Sequence, residues 1–283
     1  MPAASESDIE SLISRMLAED VGSGDVTAAL IDAATELAAT VITRESMTLA
    51  GRPYAAAVFA RVDSAINVDW EAQDGDELAA GAILFRLSGP ARAILTAERT
   101  ALNLLQTLSS TATTTAQYVR AVAGTGCRVL DTRKTLPGLR AAQKYAVRCG
   151  GGHNHRMGLY DAVLIKENHI HSAGSIVEAV NRSRDLHPTL PIEVEVESLD
   201  ELDTALDAGV DRVLLDNFSV NDLAAAVATN RQHGTPAELE ASGNVELDTI
   251  AAIAATGVDY ISVGALTKHV RAIDLSMRFD ETG

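Results

Sequence analysis

Residues 192–217 read IEVEVESLDELDTALDAGVDRVLLDN, and they decide the fold of the C-terminal half of the chain. Apolar and acidic residues alternate from Ile192 to Val196, the period of a strand. Helical sequence continues through Ala208, and Arg212 to Leu215 is a second strand. A strand, a helix and another strand in so few residues imply parallel pairing through a right-handed crossover. The same pattern extends both ways. Upstream lie strands at Cys127 to Leu130 and Ala162 to Ile165, the second followed by a helix from about Ser175 to Leu186. Downstream come a helix through Ala228, a strand from Ala237 to Glu240, a helix through Ala255 and a last strand from Tyr260 to Val263. A closed eight-unit barrel needs about 250 residues. Only Ser110 to Val270 is available, so the expectation is an open, incomplete parallel α/β barrel of about six or seven strands.

The first hundred residues have a different organisation. Ser7-Asp8-Ile9-Glu10 has capping-box spacing, and Ile9, Leu12, Ile13, Met16 and Leu17 follow at helical intervals. Gly22-Ser23-Gly24-Asp25 lacks the spacing of a phosphate loop and reads as a turn. Thr40 to Thr43, Ala65 to Trp70 and Ile83 to Leu87 read as strands, with turns at Asp74-Gly75-Asp76 and Gly81. Residues 74–81 resemble half of a biotinyl or lipoyl carrier domain, but no lysine precedes Lys134, so the carrier function is excluded. Residues 91–123 read as a long apolar helix, with a break expected in the polar run from Ser109 to Thr115. Arg99 shares a face with Leu95 and Leu102, so its guanidinium must snorkel to water or find an anion.

Composition narrows the function. Of 283 residues, 47% are apolar and 22% charged, an ordinary globular balance. The net charge of −16 argues against binding nucleic acid or acidic lipid, and 4% aromatics argues against a base-stacking platform. Cys127 and Cys149 have no metal-site spacing and read as buried or half-buried thiols. Ser5 to Glu10 is acidic and lacks a leader's basic-then-apolar pattern, and no apolar run approaches the ~18 residues of a membrane span. A cytoplasmic protein is expected.

Active sites of parallel barrels form where strands end. Here the strands end in Asp131-Thr132-Arg133-Lys134, Lys166-Glu167-Asn168-His169, Glu193 to Glu197, Asp216-Asn217, Ala241-Ser242-Gly243-Asn244 and Gly264-Ala265. The run from Gly150 to Arg156 adds His155 and Arg156. Arginine pairs bidentately with carboxylates, and lysine acts as a point charge on phosphate. Glu195 and Asp216, on adjacent strands, oppose these cations; such a carboxylate pair most simply holds Mg²⁺ or sugar hydroxyls. Glu193, Glu195 and Glu197 share one strand face, and spacing alone does not choose among them. Ser242 to Asn244 and Gly264-Ala265 offer backbone N–H groups, expected at helix starts, where this architecture binds phosphate. The residues thus describe a pocket for a phosphate, a Mg²⁺-bound diphosphate and a carboxylate-rich partner.

Thr132-Arg133-Lys134-Thr135-Leu136-Pro137-Gly138-Leu139-Arg140 carries a more specific signal. With Gln143 to Val147, Gly150-Gly151-Gly152, Asn154-His155-Arg156, Lys166-Glu167-Asn168-His169, Thr96 to Asn103, Glu193 to Glu197, Leu214 to Asn217 and Val263 to Thr267, the chain resembles the quinolinate phosphoribosyltransferase family over nearly its whole length. The resemblance implies an N-terminal α/β sandwich (residues 1–109) to which 270–283 return as a last helix, and a barrel domain (110–269) carrying the site. It implies transfer from 5-phosphoribosyl-1-pyrophosphate to quinolinate, yielding nicotinate mononucleotide, CO₂ and diphosphate on the way to NAD. It implies a homodimer in which Arg99 reaches the partner's pocket. Thr132, Arg133, Lys134, His155, Arg156 and Lys166 would surround the quinolinate carboxylates and diphosphate. Glu195 and Asp216 would hold Mg²⁺ and ribose hydroxyls, and Ser242, Gly243 and Asn244 with Val263, Gly264 and Ala265 would hold the 5-phosphate. Lys134, Lys166, Glu195 and Asp216 are the catalytic candidates.

Rival readings remain at this point. A nicotinate or nicotinamide phosphoribosyltransferase of the same fold would need fewer cations, and a paralogue tied to metal-cofactor metabolism would share the scaffold. A lyase would use Lys166 as a Schiff-base nucleophile. A non-catalytic module would use the carrier-like sandwich alone.

Overall fold

Antiparallel pairing governs the N-terminal half and parallel pairing the C-terminal half of the computed structural model, which describes residues 6–279. The elements run α1 (Glu6–Val21), β1 (Glu36–Thr43), β2 (Met47–Thr48), α2 (Arg52–Val62), β3 (Asn67–Trp70), β4 (Glu77–Leu78), β5 (Ile83–Pro90) and α3 (Ala91–Ala121). They continue through β6 (Arg128–Leu130), α4 (Arg140–Cys149), β7 (Val163–Ile165), α5 (Glu167–Ala173), α6 (Ile176–Leu186), β8 (Ile192–Val196) and α7 (Leu199–Asp207). The last are β9 (Arg212–Asp216), α8 (Val220–Gln232), β10 (Glu238–Ser242), α9 (Ile250–Ala254), β11 (Tyr260–Ser262), α10 (Ala265–Lys268) and β12 (Leu275–Phe279). Among the described residues no helix is long and apolar enough to cross a membrane.

Two compact units result. The first takes residues up to 116, 136–151 and those from 269 onward; the second takes 117–135 and 152–268. In the first, an antiparallel sheet runs β12-β1-β5-β3, and β2 pairs with β4. Its core gathers Tyr54, Val58, Phe59, Phe85, Leu102 and Leu105, with Phe59 and Trp70 each against the Phe85 ring. Segment 136–151 belongs here because α4 buries Ala142 and Ala146 in that core, and because Tyr145 donates to Asp74 at 2.5 Å. That divides the chain differently from the expected boundary at 110. Cys127 is buried and Cys149 half-buried, both as free thiols.

Three sequence expectations change. Residue 7 lies inside α1 rather than at its cap, and the residue before the helix, Ser5, lies outside the described residues, as do the ends of the expected 1–109 and 270–283 segments. The returning C-terminal segment is a strand, not a helix: Leu275 to Phe279 pair antiparallel with Thr43 to Ala39. Helix α3 runs unbroken through 109–115, where several hydroxyls have partners. Ser109 Oγ accepts from the Ala50 N–H at 3.1 Å and donates to the Ala50 carbonyl at 3.2 Å. Thr113 Oγ1 accepts from the Thr48 N–H at 2.8 Å, and Thr115 bonds back to the Thr111 carbonyl at 2.7 Å. Ser109 and Thr113 thus spend their hydroxyls on the backbone of β2 and the residues after it rather than on that of their own helix.

The second unit is a six-stranded parallel sheet ordered β6-β11-β10-β9-β8-β7. Strands β6 and β7 follow one another in sequence yet occupy opposite edges, so the barrel is open between them. Its packing comes from Val194, Val196, Val213, Leu215, Leu239 and Ile261, all buried. The β6 edge is continued by His153, whose N–H donates to the Val129 carbonyl at 2.8 Å and whose carbonyl accepts from Asp131 at 3.1 Å. That places residues 153–156 beside the end of β6.

Ser109→Ala leaves both buried polar groups of Ala50 without their partner. The expected loss is about 1–3 kcal/mol of stability, read from denaturant midpoints. An unchanged midpoint would show that β2 does not depend on α3 for its hydrogen bonds.

Candidate active site

Parallel pairing sets the site's geometry. Ser242 at the end of β10 is in register with Asp216 at the end of β9, so the following loops start level with each other. They are then locked together. The Asn217 N–H donates to the Ser242 carbonyl at 2.9 Å, and Asn244 Nδ2 reaches Asn217 Oδ1 at 3.4 Å. Asn217 Nδ2 in turn donates to Asp216 Oδ2 at 2.7 Å. Gly243 has φ +101°, and a Cβ there would lie 2.2 Å from Asn217 Oδ1, so the loop demands glycine twice over. Asn217 and Asn244 also have positive φ. The loop Ser242–Asn244 is therefore no helix start, contrary to the sequence expectation: α9 begins only at Ile250, because left-handed residues end one direction of the chain before another can begin.

A second cluster joins the ends of β6 and β11. The Lys134 N–H donates to Thr132 Oγ1 at 3.0 Å, and Thr267 Oγ1 donates to the Lys134 carbonyl at 2.9 Å. A Cβ on Gly264 would meet Lys134 Cδ at 3.1 Å and Thr132 Oγ1 at 3.7 Å. The absent side chain is what lets Lys134 lie across this strand end. Val263 is buried and its N–H donates to the Leu130 carbonyl, so it serves the sheet; Ala265 opens the single turn of α10.

Toward the β7 edge of the same sheet, Lys166 Nζ pairs with Glu195 Oε2. Arg156 is half-buried, its Nη1 on the Ala162 carbonyl at 3.2 Å; burial and the neighbouring Arg133 hold its pKa down. Glu193 and Asp161 act on it in the opposite sense. At the ends of β8 and β9 the charge reverses. Glu167 first, then burial, Glu201 and Asp216, push the Glu197 carboxyl up. Arg99 lies in the other unit, 64% exposed and paired with Glu98 at 2.9 Å. Lys144, of undecided role in the sequence, is buried on α4.

His155 is placed differently from its neighbours. Its side chain is only 10% exposed, with Nε2 3.0 Å from Glu193 Oε2 and 3.5 Å from Glu240 Oε2. Both glutamates are buried, and Arg212 Nη1 lies 3.4 Å from Glu240. Sequence reading missed Glu240 and Arg212, and left Glu193 as one of three equivalent glutamates. The strand alternation was a signal for Glu193; nothing local marks Glu240. Burial foremost, then the Glu193 charge, pushes Glu240 up to about 7. Burial pulls His155 down, but Glu193 and Glu240 outweigh it and raise the ring. A second ring proton would, however, have to sit on Nδ1, which already accepts the Arg156 N–H at 2.7 Å. That bond favours the neutral ring with its proton on Nε2.

Sequence comparison matches residues 25–109 to the N-terminal domain and 111–278 to the C-terminal domain of quinolinate phosphoribosyl transferase. The nicotinate-nucleotide pyrophosphorylase [carboxylating] of Mycobacterium leprae is 44% identical over 272 residues, covering 94% of this chain and 95% of that one. Quinolinate phosphoribosyltransferase [decarboxylating] 1 of Nicotiana glauca is 39% identical over 99% of this chain and 84% of its own. The structure of the nicotinate-nucleotide pyrophosphorylase from Francisella tularensis superposes with a TM-score of 0.95 at 48% identity, over 99% of this chain and 100% of that one.

Glu240 makes stability depend on pH. Its folded pKa is raised from 4.5 to about 7, so the folded state holds the proton more tightly and stability falls as pH rises through that window. Glu240→Gln removes this term. The variant's denaturant midpoint should therefore gain on wild type as pH rises from about 4.5 to 7. A difference independent of pH would mean that Glu240 is not held protonated by its burial.

Proposed function

The chain belongs to the quinolinate phosphoribosyltransferase family, and we propose that the strand-end clusters of its barrel unit seat quinolinate and 5-phosphoribosyl-1-pyrophosphate for decarboxylating pentosyl transfer. The enzyme is a phosphoribosyltransferase of NAD biosynthesis. The observation that carries the residue assignment is that Lys134 packed over Gly264, the Lys166–Glu195 ion pair and the interlocked Asp216-Asn217 and Ser242–Asn244 turns all stand at strand ends of one parallel sheet. Cations fixed at the rim of an acidic chain are placed to meet anionic substrates.

In this reading Arg133 and Arg156 take the two quinolinate carboxylates and aim the ring nitrogen at the anomeric carbon. Lys134, held over Gly264, and Lys166 face the diphosphate. The nitrogen's lone pair forms the new C–N bond as the C–O bond to diphosphate breaks, and positive charge passes through the sugar to the ring. Catalysis is then largely electrostatic: fixed cations meet the charge building on departing oxygens. When the adjacent carboxylate departs as CO₂, the electron pair of the broken bond stays on the ring carbon, stabilised by the positive charge of the neighbouring nitrogen, and is then protonated there. The linked loops Asp216-Asn217 and Ser242-Gly243-Asn244 hold ribose hydroxyls and the 5-phosphate. Because Val263 N–H is taken by the sheet, the phosphate's donors come from Ser242 to Asn244 and Gly264.

Mg²⁺ fits by the chemistry of the donors. Glu195 and Asp216 end neighbouring strands, and crowding around Glu197 marks negative charge that a hard cation relieves. There it would bind diphosphate oxygens and spread their charge. A Schiff-base role for Lys166 needs a free amine, whereas Lys166 Nζ is engaged by Glu195. Arg99, exposed on α3, is assigned to the pocket of a second copy.

Purified protein given quinolinate, 5-phosphoribosyl-1-pyrophosphate and Mg²⁺ should form CO₂ and nicotinate mononucleotide in equal amounts. Arg133→Ala and Arg156→Ala should each lower kcat/KM for quinolinate by about 2–5 kcal/mol, and wild-type kinetics in both would remove them from the site. For the dimer, Arg99→Ala and Lys166→Ala proteins should each be inactive alone. Mixed after dissociation, hybrids carry one intact site, so about a quarter of wild-type activity should return. No recovery in verified hybrids means that Arg99 does not serve a partner.

A further inference from the structure

The reaction leaves two barrel-interior carboxylates unused. Glu240 is fully buried and Glu193 nearly so, and each keeps an oxygen, Oε1, without a hydrogen-bond partner. Buried charge of this kind is a liability that an aliphatic layer would avoid. Arg212 opposes it, reaching Glu240 at 3.4 Å and Glu238 at 2.8 Å with its guanidinium 4.1 Å over the Tyr260 ring. The carboxylates also share the Nε2 of His155. On its other side that ring accepts the Arg156 N–H at Nδ1, at 2.7 Å. The backbone is gripped just before: the His155 N–H donates to Asp131 Oδ1 at 3.0 Å, and Asn154 Nδ2 to Asp131 Oδ2 at 2.5 Å. The imidazole is thus a strut between the barrel's buried carboxylates and the amide of Arg156.

We infer that Glu240 is a positioning residue for Arg156, acting through His155. With Glu193 it holds the imidazole in the orientation that keeps the Nδ1 lone pair on the Arg156 amide. That fixes where the Arg156 guanidinium starts from as it leaves the backbone. His155 then acts by orientation rather than by touching substrate. The inference rests on the reading that Arg156 binds a quinolinate carboxylate. Misplacing a group that binds one substrate should affect that substrate alone.

The test is steady-state kinetics of wild type, Glu240→Leu, Arg156→Lys and the double variant. Glu240→Leu keeps a similar volume but removes both oxygens that face His155 Nε2, and it should raise KM for quinolinate about tenfold while leaving KM for 5-phosphoribosyl-1-pyrophosphate unchanged. The double variant should be no worse than Arg156→Lys alone, because both changes act on one contact. Equal rises in both KM values, or losses that multiply in the double variant, overturn the positioning role. An Arg156→Lys protein with normal quinolinate KM overturns the underlying reading instead, and the inference with it. A second measurement needs no variant: the ¹⁵N resonances of His155 in the wild-type enzyme at neutral pH should show a proton on Nε2 and none on Nδ1. A protonated Nδ1 cannot accept the Arg156 amide and also overturns the inference. His155, Glu193 and Glu240 could alternatively ligate a metal, since their ligand atoms lie within 4.8 Å of one another. Stoichiometric metal lost on Glu240→Leu would replace the strut by a metal centre and sink the proposal.

Discussion

Parallel strand pairing is the constraint on which the rest depends. Strands β6 to β11 all run the same way, so every one of them ends at the same rim. The register then fixes which residues stand level: Asp216 beside Ser242, and Leu130 beside Ser262. No loop has to find its neighbour. The Asp216-Asn217 and Ser242–Asn244 turns lock by short hydrogen bonds because the sheet has already set their height. The same register brings Gly264 against Lys134, where a methyl group would press on the lysine's Cδ at 3.1 Å.

Charge economy is the second theme. An acidic chain with four lysines places two of them, Lys134 and Lys166, on strand ends beside Arg133 and Arg156. Repulsion between such groups is tolerable at a rim, where water and counter-charges screen them, and it becomes useful when anions arrive. The barrel interior has no such screening. There Glu193 and Glu240 converge on His155, Arg212 reaches Glu240, and His155 connects that interior layer to the rim. The rim is set up to bind; the interior layer holds its geometry.

The incomplete barrel follows from the same pairing. With β6 and β7 at opposite edges, the segment carrying His153 to Arg156 extends the β6 edge instead of being shut out by a closed ring. A closed ring would have left that segment no edge to pair with. The antiparallel unit solves its own edge differently, with the hydroxyls of α3 bonding to β2 and with β12 returned alongside β1.

Much of this was legible in the sequence. The alternation from Ile192 to Leu215 determined the parallel strands, because period and length are local properties. The polar strand ends located the rim, and the scarcity of lysine made Lys134 and Lys166 conspicuous. What the sequence could not decide depends on partners distant along the chain. The hydroxyls from Ser109 to Thr115 look like a helix break until Thr48 and Ala50 are seen to use them. Residues 275–279 form a strand only because the β1 edge accepts them. Glu193, Glu195 and Glu197 are equivalent in spacing, yet one faces His155, one Lys166 and one a crowd of like charges. Local pattern determines which way a side chain points from its own strand; only the tertiary structure determines what it meets there.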